Sequence, residues 1–298
     1  MKKRPPYVIA ALLAVFLACS ASLDALEVGG SFQLGNIGFT EDRSSADTSY
    51  SGLNLFWGGS LFLSHKITDT FSVETGFSRD PILMNDAYAL VLSSTDYFTL
   101  GVGAFLGLFN TDASILKSGL TISARLGIPG ALYISARTDN SLGARAQLSG
   151  DYTVEATELS LGFYVKNAIV SLDMTSKDFI NSQDAVQIID DLTRYGVTVN
   201  IFRKNTPMRI VLTTAYQTVS KEFMDGAANP AAVLNSIILG AGLDVQLGRV
   251  GLYAEFSAAA YSWGTGLLAM TPGLGYETFL WEGNAGFRVN LDPAEKIR

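Results

Sequence analysis

The chain holds one cysteine, Cys19, and one histidine, His65. No disulfide can close within it, and no site built from several Cys or His ligands can form. A hydrolytic dyad would have to use His65, which no protease or lipase motif surrounds. His65 is read instead as a hydrated residue beside a turn. Proline is scarce at 8 residues, and Asp, Glu, Lys and Arg together make up only 16%, below the usual quarter. The formal charge of −7 argues against nucleic acid or an anionic lipid surface as a main partner. There is no phosphate-binding loop: GVGAFLG (101–107) is not followed by a helical pattern. Carboxylate pairs exist, but spacing alone does not assign them acid–base work. The chain is therefore expected to be no enzyme, with no catalytic residue, no cofactor and no metal.

After residue 25 the sequence also lacks any run of 18 apolar residues, which excludes a membrane-spanning helix. The one compact apolar run lies at the start. Lys2, Lys3 and Arg4 precede Val8 to Ala18, and the small residues Cys19 to Ser22 follow. This is the pattern of an export signal, residues 1–25, with cleavage after Ala21 or Ala25. FLAC (16–19) resembles a loose bacterial lipobox, which makes Cys19 a candidate for lipidation. Phe16 is atypical for such a box, and the alternative is a small residue in a discarded leader.

What the chain has in quantity is apolar residues, 48%, and 29 glycines. They are arranged with a period of two. In FLWEGNAGFRVNL (279–291), Phe279, Trp281, Phe287, Val289 and Leu291 alternate with Glu282, Asn284, Arg288 and Asn290. Leu100, Val102, Ala104 and Leu106 alternate with Thr99, Gly101, Gly103 and Gly107. Leu159, Leu161, Phe163 and Val165 alternate with Glu158, Ser160, Tyr164 and Lys166. Similar stretches recur from residue 26 to residue 291. A period of two is a strand with one apolar and one polar face.

The connections form a second pattern. KITDT (66–70), STD (94–96), IPG (128–130), KNA (166–168), KNTP (204–207) and LGR (247–249) are tight turns. The links between them are mostly longer: 41–50, 181–191, 223–235 and 263–275. The links near 80–83, 110–114 and 149–151 are shorter. In an up-and-down meander the longest links then all fall at one end. Counting predicts about 14 strands, with 12 to 16 as bounds. Residues 131–148 keep parity throughout and are expected as one long strand, and 83–94 is the weakest segment. NPAAVLN (229–235) and DAVQIIDD (184–191) are candidates for short helical caps.

Alternation alone does not say which face meets water. Four features favour an apolar exterior. The strands, at about 10–16 residues, suit a tilted membrane crossing of roughly 9–11 residues better than a soluble sheet. The polar face is rich in Gly, Ser and Thr rather than Lys and Glu. Aromatics such as Phe71, Tyr97, Tyr195, Tyr261, Trp263 and Trp281 gather toward strand ends. The apolar face is almost free of charge.

On these features the chain resembles bacterial outer-membrane β-barrels of the porin-like kind. The resemblance rests on the leader, the alternating segments and the asymmetry of the connections, over residues 26–291. It implies an all-β, closed, antiparallel up-and-down transmembrane barrel, a place in the bacterial outer membrane, contact with its lipid and insertion by its assembly machinery. Many such proteins end in an aromatic residue. Here a polar tail, 292–298, follows Leu291, which departs from that pattern.

By parity the charges expected to line the lumen are Glu74, Lys117, Arg125, Arg137, Arg145, Glu158, Lys166, Asp173, Arg194, Arg209, Asp244, Glu255, Glu282 and Arg288. Two roles are open to them. They line a diffusion channel for small hydrophilic solutes, with a transverse field if the signs segregate, or they are paired filler in a closed barrel. The alternative functions are a surface adhesin or structural barrel, and a transporter of hydrophobic ligands such as fatty acids. The apolar link at 263–275 keeps the latter open.

Overall fold

The computed structural model describes residues 26–36, 55–109, 114–141, 152–181, 187–202, 206–224, 231–266 and 279–291. Residues 1–25, expected as a leader and containing Cys19, and the tail 292–298 lie outside them. The described residues form 14 strands. The first seven are β1 (Leu26–Gly35), β2 (Phe56–Lys66), β3 (Phe71–Asp80), β4 (Met84–Ser94), β5 (Phe98–Phe109), β6 (Ser114–Ile128) and β7 (Leu132–Asn140). The rest are β8 (Tyr152–Val165), β9 (Ala168–Asn181), β10 (Gln187–Phe202), β11 (Met208–Met224), β12 (Ala231–Leu247), β13 (Val250–Gly266) and β14 (Trp281–Asn290). Each pairs with the next, and β14 returns to β1, so the sheet closes on itself. The seam is antiparallel from Glu27↔Asn290 to Gly35↔Glu282. Closure leaves no unpaired strand edge.

The apolar face points outward. Phe32, Leu61, Val91, Val102, Ile122, Leu172, Leu212, Leu239, Leu243 and Phe256 are all exposed on it. Charge on this face, among the described residues, is limited to Arg79, Glu155, Asp178, Asp191 and Glu222, all close to the long-link ends of their strands. The belt between is bare of charge, as contact with hydrocarbon requires. Aromatic clusters rim it. Arg79 lies 4.1 Å over the ring of Trp57 and donates from Nε to its carbonyl. Trp263 packs against Tyr216 and Tyr261, and Phe256 stacks on Trp281.

Five of the tight turns form where expected, and local chemistry shapes them; the sixth, at 204–207, lies partly outside the described residues. Thr68 Oγ1 accepts from the amides of Thr70 and Phe71, and Thr95 Oγ1 accepts from Phe98. Gly130 and Gly248 take positive φ in their turns, as does Lys166. On the inner wall, glycine lets the neighbouring backbone come close: a Cβ on Gly103 would lie 1.9 Å from the carbonyl oxygen of Ala89.

Several sequence expectations need correction at the long-link end. Over their described residues, 187–191 and 231–235, the cap candidates are strand: Gln187 opens β10 and Ala231 opens β12, paired to β11 as Gln187↔Met224 and Ala231↔Glu222. Their mixed polarity reflects a wall that continues past the apolar belt, where the outer face gains polar groups and the inner face turns largely apolar. Those two links are accordingly shorter than they read. β7 ends at Asn140, and residues 142–151, including Arg145, lie outside the described set. β8 to β13 run 14 to 17 residues against 10 or 11 for β1 to β4. At about 3.3 Å per residue, one side of the barrel stands taller than the other. His65 is buried on the outer face rather than hydrated.

Candidate functional site in the lumen

The inner face is set by strand parity, so its residues follow from the register. Glu74, Lys117, Arg125, Arg137, Glu158, Asp173, Arg194, Arg209, Asp244, Glu255, Glu282 and Arg288 occupy inner positions of their strands. Lys166 does not: it stands in the turn between β8 and β9, with φ 52°. Further inner charges sit where parity was not followed to the strand ends. These are Glu27, Lys66, Asp80, Asp86, Asp139, Lys177, Asp190 and Lys221. Asp173 and Lys177 share a face four residues apart. Extending the β9 alternation by two steps would have found the lysine.

Arranged around the barrel, the signs separate. The arc from β12 through β14 and β1 to β4 carries Glu27, Glu74, Asp80, Asp86, Asp244, Glu255 and Glu282, with only Lys66 and Arg288 as cations. The arc from β6 to β11 carries Lys117, Arg125, Arg137, Lys177, Arg194, Arg209 and Lys221, with Asp139, Glu158, Asp173 and Asp190 among them. One wall is predominantly acidic and the opposite wall predominantly basic.

Local contacts hold these groups in place. Arg288 Nε is 2.7 Å from Glu27 across the seam, and Arg209 is 4.0 Å from Asp244. Arg137 pairs with Asp139 at 3.4 Å and its guanidinium lies 5.3 Å over the ring of Tyr88, whose hydroxyl donates to Glu74 at 3.1 Å. Arg125 lies 4.8 Å over Tyr133. Asp173 accepts from Ser160 and Ser171, and Glu255 from Thr213.

The lumen is not uniform along its length. Toward the tight-turn end its wall is polar, as at Thr99, Ser123, Arg125, Ser135 and Ser160. Midway lies a chamber of about 340 Å³, bounded by Ser31, Gln33, Ser60, Ser78, Asp86, Tyr88, Arg137, Glu158 and Lys177 among others. Toward the long-link end the inner face turns apolar. Phe56, Ala215, Ala232, Leu234, Ile238 and Leu280 form one buried cluster. Ile82, Leu83, Phe105, Val154, Ala156, Phe179 and Val219 form another. Among the described residues no group of three or more His, Cys, Asp and Glu side chains is placed to hold a metal ion.

Comparison with solved structures agrees with this architecture. A bacterial polysaccharide outer membrane secretin superposes with a TM-score of 0.51 at 11% identity, covering 90% of this chain and 99% of that one. The chain has the fold of an outer-membrane β-barrel. Weaker likenesses include a loop-deletion mutant of OmpT, an outer membrane protein of Vibrio cholerae (TM-score 0.41, 11% identity, 89% and 98% covered). A porin refined at 1.8 Å stands at 0.41, with 9% identity and 89% and 99% covered. No protein-family model matches the sequence, and no curated protein matches it either. At such identities the likeness concerns fold alone.

Proposed function

We propose that the protein is a porin-like channel of a bacterial outer membrane, passing small hydrophilic solutes by passive diffusion and performing no catalysis. The observation that carries this reading is the inner wall: acidic and basic residues stand on opposite arcs of a closed barrel whose outer belt is uncharged. Opposed arcs of charge make a field across the lumen. Such a field orders water and favours polar over apolar permeants, while leaving weak net selectivity. In this setting the tight turns face the periplasm and the taller β8–β13 wall faces outward. Insertion relies on the outer-membrane assembly machinery, and export on cleavage of the leader.

The test is osmotic swelling of liposomes containing the purified protein, with neutral sugars of graded size. Uptake of small sugars that falls off with size supports diffusion through the lumen. Liposomes that hold folded barrel yet swell no faster than empty ones, with the natural protein and with Lys177→Met alike, would refute it.

A second reading has one observation in its favour. The buried cluster of Phe56, Leu234, Ile238 and Leu280 places hydrocarbon inside the long-link end of the barrel, where a hydrophobic ligand that displaced it would find an apolar surface. Saturable binding of a fatty acid, abolished by Leu234→Asp, would favour that alternative.

A further inference from the structure

The connection between β3 and β4 is three residues long, Pro81 to Leu83, and it does not stay with its own wall. Asp80 shapes it. One carboxylate oxygen accepts from the amides of Ile82 (2.7 Å) and Leu83 (2.9 Å), which closes the tip into a tight turn. The other oxygen is 2.6 Å from Nζ of Lys177. Lys177 lies on β9, separated from β3 by five strands, so this ion pair crosses the lumen. The apolar side of the tip reaches equally far. Ile82 and Leu83 are buried against Phe105 of β5, Val154 of β8, Phe179 of β9 and Val219 of β11. A third tie comes from β6. Lys117, wholly buried, donates to the carbonyl of Leu83 and pairs with Asp86 at 2.9 Å.

A short polar turn at a barrel rim needs none of this. Left in water, the tip would expose Ile82 and Leu83, and Lys177 would keep its hydration. Instead an apolar wedge and a cross-lumen ion pair fill the space above the polar chamber. The tip ends just three residues beyond β3, so a small change in hairpin tilt would withdraw it without unpairing the sheet.

We infer that the β3–β4 tip is a latch that closes the lumen, with Asp80–Lys177 as the contact that must part before a solute passes. This rests on the channel reading, and it adds a closed state to it. Asp80 and Lys177 are then the handles of the latch. Ile82 and Leu83 supply the seal, and Lys117 anchors the base of the hairpin.

The test uses single-channel recording of the full chain in planar bilayers. The proteins are the natural one, Lys177→Met, and a tip variant with Ile82→Gly and Leu83→Gly. In a Cys19→Ser background, Asp80→Cys with Lys177→Cys adds a staple closed by a short bis-methanethiosulfonate and opened by reductant. The latch predicts that either unlatched variant raises open time or conductance at least tenfold, and that stapling suppresses current until reduction. Equal currents in the natural protein, both variants and the stapled form would overturn the latch and leave the channel standing. Silence from all of them, with heat-shifted gel mobility showing folded barrels, would overturn both.

Discussion

At the scale of single residues, the inner wall contains two kinds of ion pair, and the difference lies in their water. Lys117 has no exposed side chain and Asp86 only 14%, while the Arg288 side chain beside Glu27 is 69% exposed. A buried cation stripped of its partner cannot recover its hydration. Asp86→Asn should therefore lower folding stability by about 3–5 kcal/mol, whereas Arg288→Ala should change it by no more than about 1 kcal/mol. Urea-induced unfolding of the two variants in lipid vesicles, compared with the natural protein, measures both. An equal effect would mean that Lys117 finds sufficient water or a replacement partner in the lumen. Glycine acts at the same scale. The inner wall can carry Phe62, Tyr88 and Tyr133 flat against it because Gly29, Gly76 and Gly162 leave space beside them.

At the scale of the strand, the decisive property is which face each residue takes. Val102 stands mid-strand on β5, half-exposed on the outer belt. Val102→Arg should cost about 2–4 kcal/mol if that belt meets hydrocarbon at the bilayer midplane. The same urea titration in vesicles reads it, and a cost near zero would place the residue in water. Period-two alternation made this face legible in sequence, because side-chain direction alternates by geometry and lipid tolerates no charge. The tight turns within the described residues were legible from local chemistry: Thr side chains there accept backbone amides, and Gly takes the positive φ that the turn needs. The strand ends at the opposite rim were not. At Gln187–Leu192 and Ala231–Asn235 the outer face leaves the apolar belt while the inner face becomes apolar, so the alternation that marks a strand inverts or fades. The same inversion hid Asp80, Asp86 and Lys177. Parity could place each of them once its strand was extended, but no spacing in the sequence brings residue 80 beside residue 177.

At the scale of the whole molecule, closure converts a list of charges into an arrangement. Along the chain, acids and bases look mixed. Around the ring they separate, because β12 to β14 and β1 to β4 are distant in sequence and meet only through the β1–β14 seam. The unequal strand lengths add a second asymmetry. A tall wall from β8 to β13 faces a low one from β1 to β4, and the β3–β4 tip leans across to it. On the channel reading, a polar, charge-divided conduit meets an apolar closure at its long-link end. The most direct test of the conduit is the reversal potential of single channels in a salt gradient. It should be measured for the natural protein and for Glu255→Gln combined with Glu282→Gln, each with and without the latch substitution Lys177→Met. Discrete steps, with the reversal potential displaced toward anion preference when the acidic arc loses those two carboxylates, are the predicted result. A folded, inserted barrel that stays silent even without its latch, or a reversal potential that does not move, would contradict it.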